Sequence, residues 1–400
     1  MHSTRSLSMP TVWFMALAAA LGTASIYPLQ PAIADVAGSL QVSFAAVGAA
    51  LACGPIGYLL GLATLVPLVD RFRPARVIAT QFVVIGFALA VSAAVSTPWA
   101  LALVVAAVGA GSSVGAQLSS IAGRFATADR RATSLGIVTA GIAAGILAGR
   151  VVGGWLTEAL GWRPMLLVLA AACTAVALAA FLALPRAGAT ATGSYLSSVL
   201  GLPRLLVEVR ALRSAAFRGA LWFFAFCVVW SGLAAALAQP PLSYSAEQIG
   251  LFAVAGVSGI AATRVAGTWT DRVGARRVIL VGLTVAVIAS GALAFSLGHT
   301  AATVVGLALF DAGLFAAQVA NQSTVLTIDP LAPARFNSAY MVVYFIGGSL
   351  GTALGTVAVE HLGWPATALI AAVAVASAAL LVGVQRTGER LLERSGSDER

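Results

Sequence analysis

Asp311 is the acidic residue that the sequence places near the middle of a predicted apolar span, within ALFDAGLFAAQVANQ. Four other acids fall at predicted span ends: Asp35, Glu158, Glu247 and Glu360. Apolar surroundings penalise the charged form of a carboxyl group, which suits a group that gains and releases a proton. Three roles stay open for Asp311: proton coupling, a structural ion pair with Arg150 or Arg264, and direct contact with a bound solute.

Two arginines also lie inside predicted spans, where an isolated charge is costly. Arg150 keeps its charge at any reachable pH, so it requires a partner or an anionic ligand. Its place in the outer half of the span also lets the side chain extend toward the interface. Arg264 lies about one turn from the loop that contains Asp271, and it either extends to the interface or joins that loop.

The composition is that of a membrane protein. The chain of 400 residues is 60% hydrophobic and 9% charged, whereas soluble domains have about 25% charged residues. Several charge-free runs exceed the roughly 20 apolar residues that a spanning helix needs. Breaks at charged, proline and glycine clusters predict an all-α protein with twelve spans, near 11–33, 45–68, 77–97, 99–122, 133–156, 164–184, 218–239, 248–268, 278–297, 301–325, 336–358 and 364–384.

The two halves of the chain repeat. VPLVDRFRPAR at 66–76 aligns with GTWTDRVGARR at 267–277, and GGWLTEALGW at 153–162 aligns with GTVAVEHLGW at 355–364. Parallel repeats of six spans predict two bundles with a solute site between them near the midplane. The predicted domains are an N-terminal bundle, a linker, a C-terminal bundle and a tail, at 1–184, 185–217, 218–385 and 386–400.

The basic excess consists of arginine, and nearly all of it lies on one side of the predicted spans. The positive-inside rule therefore predicts that both termini are cytoplasmic, in the inner (cytoplasmic) membrane of a cell. The linker contains apolar residues at helical spacing, which predicts a short amphipathic surface helix. These residues are Leu202, Leu205, Leu206, Val209 and Leu212.

Glycines recur every four residues in the fifth and eleventh spans. Such stripes let helix backbones approach closely in lipid, either as static packing or as a smooth surface on which the two bundles rock. The glycines are Gly141, Gly145, Gly149 and Gly153 in the first half and Gly347, Gly351 and Gly355 in the second. Both stripes are predicted to lie where the bundles meet.

The loops after spans two and eight resemble the G-x-x-x-D-R-x-G-R-R loop of the major facilitator superfamily. The matching residues are Asp70, Arg71 and Arg76 in the first loop, and Gly267, Asp271, Arg272, Gly274 and Arg277 in the second. The first loop departs from the pattern at Val66, Arg73 and Pro74. The fifth span resembles the antiporter motif of the drug:proton export branch, with Gly149-Arg150 where that branch has Gly-Pro.

The resemblance implies that the Asp-Arg loops form a reversible latch on the cytoplasmic face, and that spans one, four, seven and ten line a cavity. Aromatic side chains and uncharged hydrogen-bonding groups suit small amphipathic molecules, although some form interhelical hydrogen bonds instead. The cavity candidates are Tyr27, Gln30, Ser112, Ser113, Gln117, Trp222, Trp230, Gln318, Asn321 and Gln322. Five tryptophans near span ends are predicted membrane anchors: Trp13, Trp99, Trp155, Trp162 and Trp364.

Other function classes find little support. The chain has no GxxxxGK[ST] motif, no metal-ligand spacing and no nucleophile arrangement, so we expect no enzyme activity, no metal, no cofactor and no nucleic-acid partner. The leading hypothesis is proton-gradient-driven export of small amphipathic molecules or metabolites by a monomeric antiporter. The alternatives are a symporter or facilitator that imports a small organic anion or sugar, and a membrane solute sensor that does not transport.

Overall fold

The computed structural model describes residues 7–127, 130–185, 202–329 and 333–398. These residues form helices joined by turns, and no strand occurs among them. The helices are α1 (Met9–Ala24), α2 (Ile33–Leu40), α3 (Phe44–Leu51), α4 (Cys53–Thr64), α5 (Leu68–Arg71), α6 (Pro74–Ala94), α7 (Pro98–Ser112), α8 (Val114–Phe125), α9 (Arg131–Leu160), α10 (Trp162–Ala183), α11 (Leu202–Glu208), α12 (Arg210–Ala238), α13 (Ala246–Leu251), α14 (Val257–Val273), α15 (Ala275–Ser296), α16 (Thr300–Leu326) and α17 (Pro333–Asp398). Helix α17 is interrupted by a kink at Gly363, where the backbone is not helical.

Ten helical segments of the described chain are long and apolar enough to cross a membrane, judged by length and composition. Helix α1, at 16 residues, is apolar but shorter. The prediction of an all-helical membrane protein is confirmed at this level. The arrangement of twelve spans in two bundles stays a prediction.

The first span is shorter than the predicted run of 11–33, because α1 ends at Ala24. A proline ring clashes with the carbonyl group four residues earlier, and Pro28 stands four residues after Ala24. Pro31 also lacks the backbone N–H that a continuing helix would use. Residues 25–32 are therefore turns, and α2 begins at Ile33.

The internal repeat is visible in two matching turns. Gly161 and Gly363 stand 202 residues apart, and their φ angles are 89° and 78°, a left-handed conformation that favours glycine. Each is followed by a buried tryptophan, since Trp162 is 5% exposed and Trp364 is 4% exposed. The Trp364 indole nitrogen donates a 2.6 Å hydrogen bond to the Leu293 carbonyl.

This burial corrects part of the prediction for membrane anchors. Trp162 and Trp364 are buried in the protein interior, where the indole N–H of Trp364 is satisfied by a backbone carbonyl group. The other three predicted anchors are exposed: Trp13, Trp99 and Trp155. These three keep the exposure that an anchor at a membrane interface requires.

The chain divides into two compact units. The first comprises Met1–Val199, Leu233–Val254 and Thr352–Glu360, and the second comprises Leu200–Gly232, Ala255–Gly351 and His361–Arg400. The first unit therefore takes in two segments from the second half of the sequence. The predicted domain limits, drawn at the linker, stay a prediction.

The predicted amphipathic segment of the linker does form a helix, α11, in the second unit. Its residues Leu202 and Leu205 are buried in an apolar cluster that includes Leu212, Phe336 and Tyr340. The apolar face of α11 thus packs on protein side chains of its own unit, where the sequence predicted a helix on the membrane surface.

Candidate functional site

Asp311 lies near the middle of α16, in the second unit, and its side chain is 2% exposed. The indole nitrogen of Trp230, on α12, donates a hydrogen bond of 3.2 Å to the Asp311 Oδ1 atom. An indole N–H is only a donor, and a carboxyl oxygen accepts a hydrogen bond whether or not the group is protonated. The contact is therefore compatible with a carboxyl group that gains and loses a proton.

A second contact of the same helices centres on Gln318, two helical turns after Asp311. The Gln318 Oε1 atom accepts a 3.2 Å hydrogen bond from the Trp222 indole nitrogen and a 2.6 Å bond from the Tyr340 hydroxyl group. One amide oxygen thus joins α12, α16 and α17. Residues seven apart share a helix face, so Asp311 and Gln318 lie on the same side of α16.

Arg218 is a functional candidate that the sequence analysis missed. Its side chain is 6% exposed, and its Nη2 atom donates a 3.0 Å hydrogen bond to Asn321 Oδ1. The Asn321 amide nitrogen in turn donates to the Ala215 carbonyl at 3.0 Å. Because α12 begins at Arg210, Arg218 is two turns inside a helix. The predicted span began at 218, which made this arginine look like a boundary charge.

Gln322, the last cavity candidate on α16, donates a 2.9 Å hydrogen bond from Nε2 to the Asn337 side-chain oxygen. The described contacts therefore engage all five candidates of the second unit with other side chains: Trp222, Trp230, Gln318, Asn321 and Gln322.

In the first unit, Arg150 of α9 is 4% exposed and contacts the turns after α1. Its Nε atom donates a 2.8 Å hydrogen bond to Gln30 Oε1, and its guanidinium carbon lies 4.6 Å from the Tyr27 ring centre. A cation over an aromatic face is attracted by the ring quadrupole. Arg150 also donates to the Ile146 carbonyl at 3.3 Å.

The three contacts give Arg150 a buried location with polar and aromatic neighbours. Non-helical backbone at membrane depth is tolerated where protein buries it or a cavity adjoins it. In transporters, broken helices of this kind often mark solute sites. Arg264, by contrast, is exposed on α14, so the two predicted intramembrane arginines have different surroundings.

The candidates of the fourth predicted span are fully buried in the first unit. Ser112 and Ser113 donate to carbonyl groups of their own helix at 2.8 Å. Gln117 donates a 2.6 Å hydrogen bond to the Leu65 carbonyl. The Gln117 Oε1 atom has no hydrogen-bond partner among the residues that the structure describes.

The two loops of the superfamily pattern differ in backbone conformation. Gly274 has a φ of 85° between α14 and α15, whereas Arg73, its counterpart, is extended before Pro74 starts α6. In the second loop the charged residues Asp271, Arg272 and Arg277 are exposed, and a methyl group at Gly267 would meet no atom within 4 Å. In the first loop Arg76 is exposed and Arg71 is half-buried, while the side chain of Asp70 lies outside the described part.

The glycine stripes pack within their own halves of the sequence. A methyl group at Gly141, Gly145 or Gly149 would overlap backbone atoms of α1, and one at Gly153 would overlap Pro28. Gly347 and Gly351 contact α12 in the same way, at Ala220 and Phe224, and Gly355 is buried in α17. The prediction located these stripes where the bundles meet. In the structure, six of these glycines lie against a neighbouring element of the same half.

The neighbouring Gly154 does contact the other half of the sequence. A methyl group there would overlap the Ala246 carbonyl of α13, and one at Gly250 would lie 2.6 Å from the Arg150 carbonyl. Its repeat counterpart, Thr356, is in contact with Gly48 of α3. Both crossings belong to the first unit. The glycine stripe, which was predicted to make this contact, therefore lies on a different side of α9 from Gly154.

Known proteins resemble the chain over most of its length. The Major Facilitator Superfamily matches residues 12–328 and 239–397. The "Uncharacterized transporter YgaY" of Escherichia coli O157:H7 is 30% identical over 92% of this chain and 93% of the relative. The "Multidrug resistance protein B homolog" of Mycobacterium tuberculosis (strain CDC 1551 / Oshkosh) is 25% identical over 80% of this chain and 71% of the relative. The crystal structure of the nucleoside transporter NupG superposes with a TM-score of 0.75 at 16% identity, covering 94% of this chain and 99% of that one. The chain therefore belongs to the Major Facilitator Superfamily, and it is a multi-pass membrane transporter rather than an enzyme.

Proposed function

We propose that the chain is a proton-coupled antiporter that exports small amphipathic molecules or metabolites by alternating access. In this proposal twelve spans form two six-helix bundles, both termini are cytoplasmic and the protein acts as a monomer in the inner membrane. The proton gradient supplies the energy, so no cofactor takes part. The similarity to a relative named as a multidrug resistance protein homolog supports export.

The observation that carries the proposal is the buried Asp311 carboxyl group with the Trp230 indole beside it. A neutral donor allows either protonation state without the loss of the hydrogen bond. The contact therefore supports proton exchange at Asp311.

The surroundings of Asp311 support an amphipathic solute. Indole rings and amide groups lie along α12 and α16, and α17 adds the Tyr340 hydroxyl group, between apolar side chains. Ligand sites in proteins are mostly apolar with a few placed polar groups. A solute that competes for the hydrogen bond between Trp222 and Gln318 would act about two helical turns from Asp311.

The coupling of proton binding to conformation then follows from the charge of Asp311. A deprotonated Asp311 is costly in apolar surroundings, so it favours a conformation in which water or a solute reaches it. A protonated Asp311 removes that cost and favours closure around the neutral group. The two protonation states thus bias alternating access in opposite directions.

A second candidate function is import of a small organic anion, favoured by the buried cation Arg150 against Tyr27 and Gln30. An anion at this position would gain a charge-assisted hydrogen bond in a water-poor site. Arg150 would then contact the solute, whereas in the export proposal it holds the turns after α1.

Right-side-out and inverted membrane vesicles test the choice. Vesicles from cells with and without the protein are loaded with a panel of amphipathic solutes and organic anions, and a pH gradient is imposed. Export by antiport requires that the solute move in the direction opposite to the protons. Flux in the same direction as protons would contradict export and favour the anion importer, and binding without flux would contradict transport by this chain.

A further inference from the structure

A groove with a volume of about 780 Å³ opens in the first unit between α5, α6 and α7. Three arginines line it, Arg71, Arg73 and Arg76, and most of its other lining residues are apolar. The three arginines belong to the first Asp-Arg loop, but the latch expected of that loop gives no role to the apolar part of the groove.

The groove changes from charged to apolar along one face of α6. Arg76, Thr80 and Val84 follow at intervals of four residues, so they lie on one stripe of the helix. All three are exposed. From Pro74 to Val84 the helix rises about 15 Å, which is half of a hydrocarbon core about 30 Å thick. The arginine end lies at the start of a spanning helix, and the Val84 end lies near mid-depth.

Small residues form the opposite wall and keep the space open. They are Ala107, Ala110 and Gly111 of α7. The Gln81 side chain donates a 2.6 Å hydrogen bond to the Gly111 carbonyl, which joins the two walls. No large side chain of α7 enters the groove, so a ligand with a flexible apolar part fits alongside Val84.

The charged end attracts a phosphate group. Segment 70–76 contains three arginines and one aspartate, a net charge of +2. The N-terminus of α6 starts at Pro74 and adds the positive end of a helix dipole. Basic pockets between membrane helices near the cytoplasmic surface bind anionic lipid headgroups. A soluble anion would occupy only the arginine end and leave the apolar half empty.

We propose that this groove binds an anionic phospholipid of the surrounding membrane. Arg73 and Arg76 contact its phosphate, and an acyl chain follows Val77 and Val84 along the α7 wall. Phe72, which is exposed beside the arginines, covers the part of the acyl chain nearest the phosphate. The site is separate from the proposed proton and solute sites, so its test measures binding and does not depend on transport.

Native mass spectrometry of delipidated protein provides the test, with phosphatidylglycerol, phosphatidylcholine and inorganic phosphate as probes. We expect phosphatidylglycerol to bind more tightly than phosphatidylcholine. Arg73→Ala and Arg76→Ala should each weaken its binding about fivefold, and together about 25-fold. Arg73→Lys should retain most of the affinity, and Arg335→Ala, which removes an exposed arginine from α17, should change nothing.

The apolar half is tested with Val84→Trp, which fills the groove and leaves its arginines in place. We expect this variant to weaken phosphatidylglycerol binding while an unchanged melting temperature shows that it is folded. Equal affinity of the double arginine variant and Arg335→Ala would overturn the proposal. Displacement of phosphatidylglycerol by an equal concentration of inorganic phosphate would also overturn it, because the groove would then be a site for free anions.

Discussion

The Nε atom of Arg150 donates a 2.8 Å hydrogen bond to the side-chain oxygen of Gln30, and this bond joins α9 to the turns that follow α1. The turns have short-range hydrogen bonds of their own, such as that from the Gln30 N–H to the Tyr27 carbonyl at 3.2 Å. Arg150 connects these turns to a second element, α9, and its guanidinium group lies over the Tyr27 ring. A charged side chain in a buried place thus stabilises a break in a helix.

Arg150→Ala should therefore destabilise the protein. The variant removes a charge-assisted hydrogen bond and leaves Gln30 with one partner fewer, a loss of about 1–3 kcal/mol. Thermal unfolding in detergent measures this loss as a lower melting temperature. Arg150→Lys should recover only part of it, since an ammonium group cannot reproduce the planar guanidinium contacts.

Arg264→Ala is the matched control, because Arg264 is also an arginine within a predicted span but is exposed. Its free energy of unfolding should stay within about 0.5 kcal/mol of the wild-type value, so its melting temperature should be nearly unchanged. An equal loss for the two alanine variants would contradict the structural role of Arg150.

Close approach of α9 to α1 depends on the glycine stripe. Gly145→Ala adds a methyl group that would overlap the Ala20 carbonyl, so we expect a loss of about 1–3 kcal/mol through forced separation of the helices. Gly136→Ala makes the same change in the same helix, at a position with no atom within 4 Å. There the higher helix propensity of alanine should add up to about 1 kcal/mol. We therefore expect a lower melting temperature for Gly145→Ala and an unchanged or higher one for Gly136→Ala. Equal shifts in the two variants would contradict close packing of α9 on α1.

The Arg218 contact should matter for the second unit. Arg218→Ala removes the donor to Asn321 and creates a cavity, and we expect a loss of about 2–4 kcal/mol. Arg210→Ala, in an exposed position of the same helix, should be close to neutral. Chemical denaturation of purified protein measures both. A neutral result at Arg218 would show that the Asn321 contact contributes nothing to stability.

The loop after α14 is the better match to the superfamily pattern, and only there does a glycine with a left-handed φ join the two helices. Asp271→Asn should lower transport at least tenfold while expression persists. Asp70→Asn, at the counterpart in the first loop, should have a smaller effect, because Arg73 and Pro74 give that turn a different conformation. Vesicle flux normalised to protein amount measures both variants. Wild-type turnover in Asp271→Asn would exclude a latch at this loop.

The sequence predicted the features that depend on local chemistry. Long apolar runs predicted the helices. The aligned segments that end in Leu-Gly-Trp predicted an internal repeat, and Gly161 and Gly363 in these segments have similar φ angles. Asp311, the acid near the middle of the tenth predicted span, is buried, as expected from its position. These results follow because hydrophobicity and glycine conformation act over a few residues.

Features that depend on contacts between distant elements were harder to predict. The start of α12 at Arg210 decides whether Arg218 is buried, and apolar content alone does not set that start. The partner of a glycine stripe depends on how a helix is rotated, and rotation is fixed by neighbours such as α1 and α13. The same holds for Trp162 and Trp364, whose amphipathic side chains suit either an interface or a buried hydrogen bond.

The most direct test of the proposed mechanism uses liposomes that contain purified wild-type, Asp311→Asn or Asp35→Asn protein and a solute identified in the vesicle panel. Solute exchange without a gradient and solute accumulation driven by a pH gradient are measured in parallel. We predict that Asp311→Asn keeps exchange but loses at least tenfold in pH-driven accumulation, while Asp35→Asn, an exposed acid outside the spans, behaves like the wild type. Wild-type pH-driven accumulation by Asp311→Asn would contradict proton coupling at this residue.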